Sequence, residues 1–293
     1  MALLLAVLLV APARRVVVLT NEGTEAVLAL GLTPVGAVRS WSDRPFYAHI
    51  AKAMRGVTVV GDEDHVDLPS IAALHPDLVL GNKLRQRALY APLSAIAPTV
   101  FSETLRGEWQ RNFRLYAEAL GRPRRGEEVL AAWQRRVAAT RRRLGDRLSQ
   151  RVAVVRFMAD RTRVYHEESF SGSILREVGC ARAPFRRASD SFEEIGLDRL
   201  GELDGDILFY FTYEEGDGRA TRREEEWTSD PRWKALRAVS EGRAFKVDDA
   251  IWNTAGGIFA AERVLADLVR FLSRRPPPGR APGRPSPPGA ARP

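Results

Sequence analysis

Apolar residues fall along the chain in short blocks that alternate between two spacings. Residues 16–19 form a β-branched run bounded by Asn21 and Gly23, which predicts a buried strand. Similar runs at 35–38, 57–60, 77–80, 99–101, 152–155, 206–211 and 244–247 predict further strands. Helical spacing appears between them, at 24–30, 68–74, 90–96, 173–178 and 231–239. Gly31 and Gly179 stand where helices end, and Pro69 stands in a first turn, where a missing N–H is tolerated. Strands and helices alternating over short connections predict parallel sheets covered by helices.

From 109 to 150 the pattern is helical throughout. Trp109, Phe113, Tyr116 and Leu120 make one stripe, Gly121 and Pro123 break it, and Leu130, Trp133, Val137, Leu144 and Leu148 make a second. Glu127 and Glu128 open the second helix and Arg141, Arg142, Arg143 and Arg147 close it, the polarity that suits a helix dipole. The expected class is α/β, with two Rossmann-like lobes joined by one long helix. The lobes are expected at 14–121 and 151–273, with the joining helix at 122–150.

The ends depart from this plan. Residues 1–10 are apolar but too few to span a bilayer; with the small-residue site Ala11-Pro-Ala13 they read as a signal remnant over 1–13, hence export. Residues 274–293 are, apart from Ser286, Pro, Gly, Ala and Arg, a composition expected to be disordered. That tail supplies five arginines and no acid, so the net charge of +8 falls to +3 without it. The folded part is only mildly basic, which argues against a nucleic-acid partner. The one cysteine, Cys180, excludes an internal disulfide. His49, His65, His75 and His166 show no paired spacing, so no metal site is expected. GxSxG, GxGxxG, Walker and HExxH signatures are missing, which argues against an enzyme on a doubly wound scaffold.

Several stretches resemble one family. They include Leu74-His-Pro-Asp-Leu-Val-Leu-Gly-Asn-Lys-Leu-Arg-Gln86, Leu93-Ser-Ala-Ile-Ala-Pro-Thr-Val100, Asp230-Pro-Arg-Trp-Lys-Ala-Leu236, residues 22–36, and the Trp252 loop running through Gly256-Gly257 into a helix. Their order over about residues 14 to 272 resembles the ABC-importer substrate-binding proteins for ferric siderophores, nearest the ferric citrate and citrate-hydroxamate branch. The resemblance implies the helical-backbone, class III periplasmic binding fold and a monomer at the periplasmic or extracytoplasmic cell surface. It implies two partners, a ferric siderophore and an ABC permease dimer. No cofactor is implied; the iron comes with all its ligands from the siderophore. A haem- or cobalamin-binding protein of the same fold is the alternative, with Tyr165 and His166 as the pair that would ligate a haem.

Such chelates are anionic and carry planar carboxylates, which arginine forks and aromatic faces match. Open α/β sheets bind ligands beyond the C-terminal ends of their strands. On the first lobe that rule selects Asn21, Arg39, Trp41, Asn82, Lys83, Arg85 and Gln86. On the second it selects Arg156, Phe157, Tyr165, Phe211, Tyr213, Trp252 and Asn253. Arg85 and Arg156 are the expected anchors. The resemblance also implies one permease-docking acid on each lobe. Asp198 stands where the family usually has glutamate, with Glu193 and Glu194 nearby. On the first lobe the matching position is Pro69, a departure, and Asp67 is the nearest acid.

Overall fold

The computed structural model describes residues 14–42, 45–183 and 190–274. The expected signal remnant at 1–13 and the expected tail from 275 onwards lie outside the described residues. The first half builds a five-stranded sheet from β1 (Val16–Val18), β2 (Gly36–Ala37), β3 (Thr58–Val59), β4 (Leu78–Asn82) and β5 (Thr99–Ser102), in the order β3-β2-β1-β4-β5 and parallel throughout. Its helices are α1 (Asn21–Ala29), α2 (Leu68–Ala73), α3 (Lys83–Gln86) and α4 (Tyr90–Ile96). Polar side chains start three of them. Thr20 accepts the Gly23 N–H, Asp67 the Ser70 N–H and Asn82 the Leu84 N–H, each satisfying a donor that a helix start leaves open.

Two helices then cross to the second half. After α5 (Trp109–Ala119), Gly121 takes a positive φ of 67° and Pro123 opens α6 (Pro123–Leu144), 22 residues and so about 33 Å long. The second sheet contains β6 (Val152–Phe157), β7 (Thr162–Tyr165), β8 (Phe192–Ile195), β9 (Ile207–Thr212) and β10 (Ala244–Lys246), in the order β10-β9-β6-β7-β8. Its helices are α7 (Phe170–Val178), α8 (Arg219–Ser229), α9 (Pro231–Ala235), α10 (Arg237–Ser240) and α11 (Ile258–Leu272), with one π-helical turn at Ala250–Thr254.

Three expectations need correction. The second sheet is mixed, because β7 runs antiparallel to both β6 and β8. The helix expected at 231–239 is two, since Leu236 turns extended with ψ 137° between α9 and α10. The helix α8 was not expected at all: its charged sequence buries only Ala220 and Trp227, too thin a stripe to read as amphipathic.

Packing explains the shape. One continuous core joins β1, β4, β6 and β9 through α1, α5, α6, α7 and α11, so the two sheets share their inner layer. Each outer sheet face has its own cluster, around Val17, Val79 and Leu93 in one and around Phe157, Trp227 and Trp233 in the other. Glu25 of α1 ties the halves further. Its carboxylate accepts the Phe259 and Ala260 N–H groups at the start of α11 (2.7 and 3.0 Å) and meets His49 Nε2 at 2.5 Å. Gly257 permits that approach, because a Cβ there would sit 2.5 Å from Glu25 Cβ.

Candidate binding cleft between the two sheets

The C-terminal ends of the parallel strands face each other across a cleft of about 290 Å³. From the first half it is lined by Thr20 and Glu22 after β1, Trp41 after β2, Glu63 after β3, Arg85 after β4, and Leu105 and Arg106 after β5. From the second it is lined by Arg156 and Met158 at the end of β6, Tyr213 and Glu215 after β9, and Asn253 to Gly256 after β10. The antiparallel β7 and β8 add Arg163, Tyr165 and Phe192.

Four guanidinium groups converge here, each fixed differently. Arg156 is 5% exposed and gives Nε and Nη2 to the two oxygens of Asp249, at 2.6 and 3.1 Å. Its guanidinium lies 4.6 Å from the Tyr213 ring centroid. Burial works against its charge, but Asp249 and the Tyr165 hydroxyl outweigh burial and raise its pKa. Arg85, with 31% of its side chain exposed, pairs with Glu63 (2.8 Å) and Asp64 (2.6 Å) and lies 5.0 Å over Trp41. Arg163 pairs with Glu194 at 3.0 Å and stacks 3.9 Å over Phe192.

Arg106 is the odd member. No ion pair holds it among the described residues, and its guanidinium lies 5.4 Å over the same Phe192 ring. Its backbone adopts φ 72°, a left-handed conformation uncommon outside glycine. Burial, and then the like charges of Arg85 and Arg163, pull its pKa down.

The carboxyls between these cations are buried. Glu63 has a raised pKa, because burial outweighs Arg85 and the Asn21 hydrogen bonds. Glu22 is raised well above its ordinary value, by burial first, opposed by an Asn112 hydrogen bond and reinforced by Glu63 and Glu25.

Of the residues expected from sequence, Trp41, Arg85, Arg156, Tyr165, Tyr213 and Asn253 line the cleft. Three others support it from behind. Asn21 gives its N–H and Nδ2 to Glu63 Oε1, both at 2.8 Å. Asn82 caps α3 and donates to Ser102 Oγ and the Thr104 carbonyl, while Gln86 donates to the Leu19 and Glu63 carbonyls.

The remaining five need correction. Phe157 points to the outer core, 5.8 Å from Trp227 and from Trp233, because neighbours on a strand face opposite ways and Arg156 takes the cleft side. Phe211 is buried behind Tyr165 at 5.7 Å. Trp252 is fully buried, 4.4 Å from Phe209, with Nε1 donating to Asp267. Arg39 pairs with Asp62 and Lys83 with Glu103, both outside the cleft. The pair expected for a haem is split: Tyr165 lines the cleft and His166 does not.

Glu22, Glu63, Arg106, Arg163 and Phe192 were not anticipated. The strand-end rule reaches the first three, since each follows β1, β3 or β5. Arg163 and Phe192 required knowledge of the antiparallel ribbon. Among the described residues no group of three or more His, Cys, Asp or Glu side chains is placed to hold a metal ion.

The periplasmic binding protein family model matches residues 16–250. The chain is 44% identical to the "Probable siderophore-binding lipoprotein YfiY" of Bacillus subtilis, over 88% of this chain and 82% of that protein. It is 32% identical to the "Achromobactin-binding periplasmic protein" of Dickeya dadantii, over 88% and 86%. Among solved structures it is similar to Staphylococcus aureus SirA complexed with staphyloferrin B, at 30% identity and a TM-score of 0.82, covering 89% of this chain and 93% of that one. Two sheets sharing a core, a strand-end cleft and these matches lead to one conclusion: the chain belongs to the periplasmic binding protein family.

Proposed function

We infer that this protein is the substrate-binding component of an ABC importer, taking a ferric siderophore into the cleft and delivering it to the membrane. It is a binding protein, not an enzyme, and it works at the periplasmic or extracytoplasmic cell surface. One observation carries the ligand class: Arg85, Arg106, Arg156 and Arg163 converge with Trp41, Phe192 and Tyr213 on one cleft. Guanidinium forks match the carboxylates of citrate-type chelates, and aromatic faces cover the carbon skeleton. In this reading iron arrives fully coordinated, and the protein supplies no cofactor.

The finer partners are part of the proposal. The chain acts as a monomer and meets a permease dimer through acids outside the cleft. Asp198 is the best placed of the four candidates, exposed on the 3-10 turn after β8. Glu193 is paired with Arg199 and Glu194 with Arg161 and Arg163, while Asp67 is exposed but caps α2.

Tryptophan fluorescence titrated with ferric citrate, a ferric citrate-hydroxamate, a trihydroxamate, a catecholate, haem and cobalamin tests this reading. The citrate-type chelates should quench at submicromolar concentration and the others should bind more weakly. Preference for the catecholate, haem or cobalamin would overturn the ligand class.

A further inference from the structure

The floor of the cleft differs from its walls. Where α1 meets the 253–257 segment, Glu22 lines the cleft at 7% exposure, and a Cβ on Gly256 across from it would lie 3.8 Å from the Glu22 Cβ. Its Oε1 finds no hydrogen-bond partner among the described residues. Asn112 bonds the same carboxyl, but buried polar atoms are nearly always paired, so the unpaired oxygen of this cleft-lining side chain points to a ligand atom. The other carboxyl at the floor, Glu63, is already engaged by Asn21 and Arg85.

We propose that the Glu22 carboxyl donates a hydrogen bond to an oxygen of the bound chelate and makes capture sensitive to pH. The proposal rests on the siderophore reading of the cleft and adds a group the arginines do not supply. The surroundings fix which form is present. Glu25 lies on the same helix, Glu63 approaches from the segment after β3, and Asn112 and Tyr116 approach from α5. Arg85, Arg106 and Arg156 line the walls of the same cleft. Burial first, and then two neighbouring carboxyls, favour a neutral Glu22, the form that carries an O–H, against the Asn112 hydrogen bond. An ionised Glu22 would instead set negative charge against an anionic ligand. Affinity should therefore fall as pH rises through the Glu22 pKa, with a limiting slope of about tenfold per pH unit.

Calorimetric titration with ferric staphyloferrin B and ferric citrate, from about pH 5 to about pH 8, decides the matter when run on the wild type, Glu22→Gln and Glu22→Leu. The glutamine amide keeps a donor and cannot ionise. Glu22→Gln should hold wild-type affinity at the acid end and flatten the pH dependence. Glu22→Leu should lose on the order of tenfold at the acid end. Both variants share the titration of the ligands themselves, so only the protein's part differs. An identical pH slope in wild type and Glu22→Gln, or wild-type affinity in Glu22→Leu, would overturn the proposal. Failure of both probes on the wild type would instead overturn the siderophore reading beneath it.

Discussion

Asp249 holds Arg156 in a two-pronged ion pair, Nε to Oδ1 at 2.6 Å and Nη2 to Oδ2 at 3.1 Å, with both side chains over nine-tenths buried. The cation is thus aimed over Tyr213 before any ligand arrives, and no conformational entropy is lost in aiming it. A buried pair is costly to break and less costly to replace. Asp249→Ala should lower unfolding free energy by about 3–5 kcal/mol. The double substitution Arg156→Leu with Asp249→Leu should recover much of that loss in chemical denaturation, yet bind the chelate no better than Arg156→Ala.

Arg85 and Trp41 form the matching element on the other wall, but nearer solvent. Arg85→Ala should weaken the preferred chelate by about 1–3 kcal/mol, since it removes a charge-assisted contact. Because Trp41 lies beneath that guanidinium, Trp41→Phe should remove most of the fluorescence quenching on binding. Trp252→Phe should leave quenching intact and lower stability by about 1–3 kcal/mol, because Asp267 loses its indole donor. Equal loss of quenching in both variants would contradict the placement of the two indoles.

Arg106 sets stability against affinity. Its φ of 72° suits glycine, so Arg106→Gly should relieve roughly 1 kcal/mol of backbone strain. The same change deletes a cation that no carboxylate among the described residues pairs with, so chelate affinity should fall while the melting temperature rises. A variant that both melts lower and binds normally would remove Arg106 from the site.

Glu22 also marks the stability curve. Its folded pKa is raised above the ordinary 4.5, so the folded state binds more protons than the unfolded state. Its contribution is fully present below 4.5 and fades as pH rises through the folded value. Glu22→Gln lacks this fade. The difference in unfolding free energy between Glu22→Gln and wild type should grow in favour of the variant as pH increases from about 5. A difference that stays constant with pH would contradict the assigned ionisation.

Much of this site could be read from sequence because strand ends announce themselves. Arg85 and Arg156 each follow an apolar run, and the geometry of parallel sheets sends such positions to one edge. What failed was facing. Phe157 and Arg156 are neighbours, and only the pairing of β6 decides which of them turns to the cleft. Trp252 carries an aromatic ring that suits a ligand and a core equally, and Phe209 with Asp267 claims it. The β7–β8 ribbon was hidden for another reason. Arg163 sits opposite Glu194 in its ladder, so the sequence there looks like a solvated charge pattern. The helix α8 was hidden in the same way by its run of arginines and glutamates.

Glu25 sets a limit on how the molecule works. It is bonded at once to His49 and to two amides of α11, out of reach of solvent. Swinging the halves apart would strip that carboxylate of both α11 amides and leave it buried with His49 alone. Exchange of cargo should therefore fall mainly to side chains at the rim, with little change of outline between the loaded and empty protein. A membrane partner would then have to tell the two states apart by touching the cargo itself.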